Sequence, residues 1–131
     1  KKSKAREIVG IEKNPIAAKY FKKNIEMNKL QNVIAVKDDA KNAGRRFPKS
    51  FDRIIMPLPE TAVDYLNPAI KCIKPNGIIH MYFFAREGEV NAVKKRIKSK
   101  AGNRKTRFLG MQRVLPYSPG IYKYRLDFSV R

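Results

Sequence analysis

Short apolar runs that stop abruptly, alternating with stretches of helical periodicity, constrain this chain more than any other feature. Ile8-Val9-Gly10-Ile11 ends at Glu12, Val33-Ile34-Ala35-Val36 ends at Lys37-Asp38-Asp39, and Phe51 to Met56 ends at Pro57-Leu58-Pro59. Runs this short, rich in Val and Ile, read as buried strands. Between the first two, Asn14-Pro15 signals a helix start, with Asn as cap and Pro at the first helical position. Ala17, Phe21 and Ile25, flanked by Ile16 and Tyr20, form its apolar stripe; Lys19, Lys22, Lys23 and Glu26 take the other side, and Asn28-Lys29 closes it.

Residues 40–50 read as a short helix or loop. A helix over Ala62 to Ile73 turns Val63, Leu66, Ala69, Ile70 and Ile73 inward, with Pro68 as a break or kink. Pro75-Asn76-Gly77 predicts a turn, and Ile78 to Phe84 the strongest, central strand. A basic helix over Glu87 to Lys100 and a turn at Gly102-Asn103 come next, then strands over Thr106 to Leu115 and Ile121 to Val130. The order predicts an α/β fold: a mostly parallel sheet with helices on its faces, finished by an antiparallel C-terminal pair.

Charge narrows the partner. With 30 Lys and Arg against 11 Asp and Glu, the net charge is +19, a surplus that invites a polyanion, nucleic acid first. From Val90 to Leu126 there are eleven basic residues and no acid. Lys94, Lys95, Arg96, Lys98 and Lys100 share one helix, and Arg104, Lys105, Arg107 and Arg113 come after it. Singly each reads as a solvated charge; collectively they suit phosphate contacts. Phe108, Tyr117, Tyr122 and Tyr124 interleave with them, although aromatics at strand spacing commonly belong to a core. No apolar run approaches the roughly 18 residues of a membrane span. A single cysteine, Cys72, excludes an internal disulfide framework and any CxxC metal site, which fits a reducing, cytoplasmic setting. Cys72 and His80 read as core residues, since a lone histidine makes neither a triad nor a metal site. The opening Lys1-Lys2-Ser3-Lys4-Ala5-Arg6 is not a signal peptide; it reads as a short basic arm or as a cut end.

In open α/β sheets, ligands bind beyond the carboxyl ends of the strands. Glu12 places an acceptor pair there, suited to the two hydroxyls of a ribose. Asp38-Asp39 offers a carboxylate for an exocyclic adenine amine. Pro57-Leu58-Pro59 presents main-chain carbonyls in a rigid array, suited to a planar acceptor. Taken alone these are commonly a helix cap, a turn and a loop; it is their succession on consecutive strand ends that suggests a nucleoside cofactor beside a planar acceptor.

Gly10-Ile11-Glu12-Lys13-Asn14-Pro15, Asn24, Asn28-Lys29-Leu30 and Asp39-Ala40 resemble the second and third strand motifs of class I S-adenosylmethionine (SAM) methyltransferases. Phe51 to Pro59 and Gly77 to Tyr82 continue the match. With Tyr117-Ser118-Pro119 and Leu126-Asp127-Phe128 it narrows: the chain is similar to the archaeal and eukaryotic tRNA (guanine(37)-N1)-methyltransferases over nearly all its length. The resemblance implies a Rossmann-like sheet, SAM as cofactor and tRNA as partner. By it, Glu12 would bind the SAM ribose and Asp39 would sit at the adenine, with Lys13, Asp38 and Ala40 as further cofactor-binding residues. Pro57, Leu58 and Pro59 would hold the target guanine, while the basic run and its aromatics, independently of the resemblance, make Lys94, Lys95, Arg96, Lys98, Arg104, Lys105, Arg107, Arg113 and Tyr117 the candidates to face RNA. One common family pattern, Asn-Leu-Pro, has Asn where Pro57 stands, so backbone groups of Met56 to Leu58 would replace a side-chain amide; Pro59 matches.

The fold's first strand and glycine-rich loop normally precede the acid of the next strand by about one βα unit. Only eleven residues precede Glu12. Residues 1–131 are therefore expected to be the C-terminal part of a catalytic domain, beginning after that loop, with the sheet split where the missing strand would lie. The family's base-activating groups are expected upstream as well. Two rival readings stay open. One is a tRNA aminocarboxypropyl transferase, which uses the same cofactor pocket but attacks another SAM carbon. The other is a non-catalytic basic RNA-binding module whose cofactor site has decayed.

Overall fold

A computed structural model describes residues 4–131, so Lys1, Lys2 and Ser3 of the basic opening segment lie outside the described residues. The chain divides into two compact units, residues 1–42 and 43–131.

In the first unit, β1 (Ile8–Glu12) and β2 (Val33–Lys37) run parallel and in register, Ile8 beside Val33 and Glu12 beside Lys37. Helix α1 (Pro15–Met27) joins them. Asn14 caps it as expected, its Oδ1 accepting from the N–H groups of Ile16 and Ala17. At the other end Lys29 donates to Glu26 O and Leu30 to Ile25 O, the reciprocal pattern that satisfies a helix's last carbonyls. Lys29 takes the left-handed conformation this requires, φ 51°. The inward stripe is Ala18, Phe21 and Ile25; Ala17, Ile16 and Tyr20, expected on it or beside it, are exposed. The ring of Phe21 lies against Gly10 of β1, where any Cβ would collide with it, so this glycine sets the helix–strand approach.

The second unit holds a four-stranded sheet of order β3-β4-β6-β5. Its strands are β3 (Phe51–Met56), β4 (Ile73–Ala85), β5 (Thr106–Ser118) and β6 (Ile121–Val130). β3 and β4 are parallel, whereas β6 is antiparallel to both β4 and β5. The first four strands thus pair in parallel within their units and the C-terminal pair is antiparallel, as the element order predicts. Helices α2 (Ala43–Arg46), α3 (Leu66–Cys72) and α4 (Val90–Ala101) complete the unit. Several boundaries differ from expectation: the helix expected from Glu87 is a 3-10 turn, Glu87–Glu89, followed by α4, β5 runs on to Ser118 instead of stopping at Leu115, and two further differences lie at prolines. The helix over 62–73 is a 3-10 turn, Ala62–Tyr65, followed by α3. Pro68 lacks an N–H and its ring crowds the carbonyl four residues back, so the α-helix restarts at Leu66. The turn at Pro75-Asn76-Gly77 lies inside β4 as an irregularity, with Phe51 opposite Ile73 and Arg53 opposite Ile78, and Asn76 at φ 65°.

The core of this unit alternates along the strands. Ile79, Met81, Phe83 and Ala85 of β4 and Tyr124, Leu126, Phe128 and Val130 of β6 pack with Leu66, Ile70, Val90 and Ile97 of the helices. The last carbonyls of α3 are all satisfied: Arg104 Nη1 donates to Ile70 O, Lys49 N to Lys71 O and Ser50 N to Cys72 O. Cys72 is buried, which pushes its thiol pKa up to about 11. Among the described residues no helix is long and apolar enough to cross a membrane.

Candidate functional site

The two acid-tipped strand ends of the first unit lie side by side. Glu12 O accepts from Asp38 N at 3.2 Å, extending the β1–β2 ladder past its last pair. Glu12 turns one carboxylate oxygen back on its own chain, Oε1 accepting from Asn14 N at 2.7 Å. Glu12 thus orients the residue that caps α1, and its Oε2 is left on the same strand end as an acceptor. The Glu12-Lys13-Asn14-Pro15 segment is one local device: strand end, carboxylate, cap, helix.

Asp38 and Asp39 are organised as tightly. Asp38 Oδ1 accepts from Asp39 N at 2.7 Å and from Asn42 Nδ2 at 2.8 Å. Asp39 Oδ1 accepts from Lys41 N at 2.9 Å, and its Oδ2 pairs with Lys13 Nζ at 3.0 Å. The Lys41 backbone N–H, followed by the Lys13 ammonium, holds the Asp39 carboxyl below the usual carboxylate range. A lowered pKa means that Asp39's contribution is complete above its unfolded pKa and is lost only as pH falls through the lowered value. Ala40 opens the 3-10 turn Ala40–Asn42 directly after these acids. Residues Glu12, Lys13, Asp38, Asp39 and Ala40 are therefore one cluster within one unit, with Lys13 bridging the two strand ends. Asn42, which sequence reasoning passed over, fixes Asp38; an amide four residues after an acid at a turn is the signal that pointed to it.

Pro57, Leu58 and Pro59 come directly after β3 in the second unit, with Leu58 exposed and Pro59 half-buried. The last β3 residue, Met56, is buried opposite Met81, so the loop leaves the sheet from a fixed point.

The basic residues sort into three groups. Arg104 is internal, its guanidinium donating to Ile70 O and to Val130 O at 3.3 Å. Lys94 and Lys98 hold their ammonium groups over the Phe108 ring at 5.5 and 5.8 Å, and Arg113 lies over Tyr122 at 4.5 Å. Lys94 and Arg113 line one open groove with Asn91 and Met111. Lys95, Arg96, Lys105 and Arg107 are exposed. Of the interleaved aromatics, Tyr124 is buried against Phe83, and Phe108 and Tyr122 are half-buried. Only Tyr117 is exposed, stacked on Phe84. His80 is hydrogen-bonded within the sheet, its Nδ1 2.7 Å from Oδ1 of Asp127, the residue opposite it on β6.

Parallel strands tipped with paired carboxylates, a capped helix between them and an antiparallel C-terminal pair define a Rossmann-like fold of the nucleoside-cofactor kind. The chain belongs to the TRM5/TYW2 methyltransferase domain family, which it matches over residues 1–109. It is 36% identical over 130 residues to the tRNA (guanine(37)-N(1))-methyltransferase Trm5b of Pyrococcus abyssi, covering 97% of this chain and 38% of that protein. The crystal structure of that enzyme superimposes with a TM-score of 0.85 over 96% of this chain and 38% of its own. The tRNA(Phe) (4-demethylwyosine(37)-C(7)) aminocarboxypropyltransferase of Methanocaldococcus jannaschii is 28% identical over 97% of this chain and 51% of its own length. The crystal structure of M. jannaschii TYW2 in complex with AdoMet has a TM-score of 0.86 at 26% identity, over 98% of this chain and 60% of that one. The chain thus spans between about a third and a half of the curated relatives it matches.

Proposed function

We propose that this chain is the C-terminal part of the catalytic domain of a SAM-dependent tRNA methyltransferase acting on N1 of guanine 37. The observation that carries the reading is the joined acid cluster at Glu12 and Asp38-Asp39, in a chain with 36% identity to a guanine-37 methyltransferase along almost its whole length. The cluster fits the cofactor. Its groups are acceptors where a ribose diol and an adenine amine are donors, and they stand on adjoining strands, about 4.8 Å apart. Glu12 Oε2 would take the ribose hydroxyls, while the Asp38–Ala40 turn would border the adenine. Lys13, held on Asp39, keeps the two strand ends together.

When bound, SAM supplies a methyl group already activated by its sulfonium. The protein's task is then positioning and removal of the N1 proton. Pro57 to Pro59 would set the plane of the guanine through main-chain groups, with proline in place of a side-chain amide. We assign no proton acceptor within residues 1–131. The exposed Lys95, Arg96, Lys105 and Arg107, with Lys94, Lys98 and Arg113, would meet phosphates and give salt-sensitive affinity.

A second reading is supported by the 28% identity to the aminocarboxypropyltransferase over the same span. Product analysis separates the two. Full-length protein incubated with SAM and a tRNA transcript carrying guanine 37 is expected to yield 1-methylguanosine and S-adenosylhomocysteine. Methylthioadenosine with a 3-amino-3-carboxypropyl base would establish the second reading. Salt-sensitive tRNA binding with neither product and no SAM binding would leave an RNA-binding module.

A further inference from the structure

Among the aromatics of the basic half, Tyr117 alone has a ring turned to solvent, and its place in the sheet is specific. β3 and β4 run parallel with Met56 opposite Met81, and β4 continues to Ala85, which pairs with Tyr122. Because β6 is antiparallel to β4, the turn between β5 and β6 lies at the sheet end where β3 and β4 finish. Pro57 to Pro59 leave the sheet at that same end. Phe84, three residues past Met81, stands about 10 Å further along the strand direction than Met56.

There the Phe84 and Tyr117 rings stack, with centroids 4.0 Å apart and planes 27° from parallel. Tyr117 nevertheless remains 58% exposed. Its inner ring face is spent on Phe84 and its outer face is open. A cation adjoins it on the same sheet face: Lys123 sits opposite Phe84 with its ammonium 5.2 Å from the Tyr82 ring centroid, whereas Arg125, opposite Tyr82, is paired with Asp127, Nε to Oδ1 at 3.2 Å. A ring already held flat loses little freedom on receiving another ring. An open π face beside the Lys123 ammonium fits one chemistry, a single-stranded nucleotide with its base stacked and its phosphate neutralised.

We propose that the Phe84–Tyr117 pair is a stacking platform for an unpaired RNA base neighbouring the one held at Pro57 to Pro59. The platform rests on the RNA-modifying reading above, and it adds a contact outside the reacting base.

The test uses full-length protein and an anticodon stem-loop carrying 2-aminopurine at either neighbour of guanine 37. Binding is expected to quench the fluorophore at one of these positions. Tyr117→Ala is expected to abolish that quench and weaken RNA binding about 5- to 100-fold. Tyr117→Phe keeps both, because the π face survives. Tyr117→Leu still covers Phe84 and so preserves the hairpin, but is expected to behave like Tyr117→Ala. A Leu variant with wild-type quench and affinity would reduce Tyr117 to a cover for Phe84 and overturn the platform, as would unchanged affinity in the Ala variant. Methyl transfer by wild-type protein, measured in the same samples, separates the two ideas. Transfer with a quench indifferent to Tyr117 sinks the platform alone, whereas a Tyr117-dependent quench without methylated guanine upholds the platform and sinks the reaction.

Discussion

The two units handle apolar surface in opposite ways. Residues 43–131 bury a continuous core running from Met56 to Val130, with Phe128, Leu66, Ile79, Met81 and Ile97 essentially inaccessible. Among the described residues of the first unit, only Ala18 and Val36 are buried hydrophobics; Ile16 is 66% exposed and Met27 69%. Two strands and one helix cannot enclose a core, and a two-stranded sheet is marginal in water. What the first unit has instead is local order: the Asn14 cap, the Lys29–Leu30 helix stop, and the Glu12–Asp38–Asp39–Lys13 cluster. The contrast teaches that stability and candidate recognition are separated along this chain. Buried area holds the second unit, while the acid cluster of the first is shaped by hydrogen bonds between near neighbours in sequence, joined across the two strand ends by Asp38 N to Glu12 O and by the Lys13–Asp39 pair.

Substitutions can break that contrast. The largest effect is expected at Phe128→Ala, which empties a fully enclosed site and costs about 3–5 kcal/mol. Met27→Ala, at an exposed site, is expected to cost under about 0.5 kcal/mol. Urea denaturation of the two variants compares them, and equal losses would contradict a core confined to the second unit. Arg104→Met tests whether a basic residue of the second unit is structural. Removing its donors to Ile70 O and Val130 O is expected to cost about 2 kcal/mol. Lys95→Met should leave stability intact and instead lower the salt slope of RNA binding by about one. In the first unit, Asn14→Ala removes the α1 cap for about 1 kcal/mol. Amide exchange should report this at Ile16 and Ala17 while the β4 and β6 amides keep their protection. The smallest effect is chemical. The buried Cys72 thiol, with its pKa raised to about 11, should resist iodoacetamide at pH 8 in the native protein and react on unfolding, as intact mass would record.

The fold was legible where its signals are local. Strand ends at Glu12, Lys37 and Met56 and the helix start at Asn14-Pro15 come from period, cap and proline chemistry, which act over a few residues. The strand containing Pro75 to Gly77 was not legible, because those three residues have turn composition and only pairing with β3 holds them in β4. The inward side of α1 was displaced by about one residue for a related reason: Ala17 and Ala18 are equivalent to a helical pattern, and Phe21 lying on Gly10 chooses between them.

Charge was legible in amount and not in role. The sequence counts Arg104 with Lys105 and Arg107 as one basic run, whereas the fold turns Arg104 inward onto two carbonyls and leaves its neighbours exposed. In the same way Phe108, Tyr122, Tyr124 and Tyr117 read alike along the chain, and only strand pairing decides that the first three join the core side and Tyr117 does not. By itself the sequence determined the order of elements, the acids on the strand ends and the surplus of cations, because propensity, capping and composition depend on residues close together in the chain. Which cations face solvent, which ring stays open and how Asp39 finds Lys13 were decided by the tertiary structure. Those outcomes depend on contacts between residues far apart in sequence, and no local pattern encodes them.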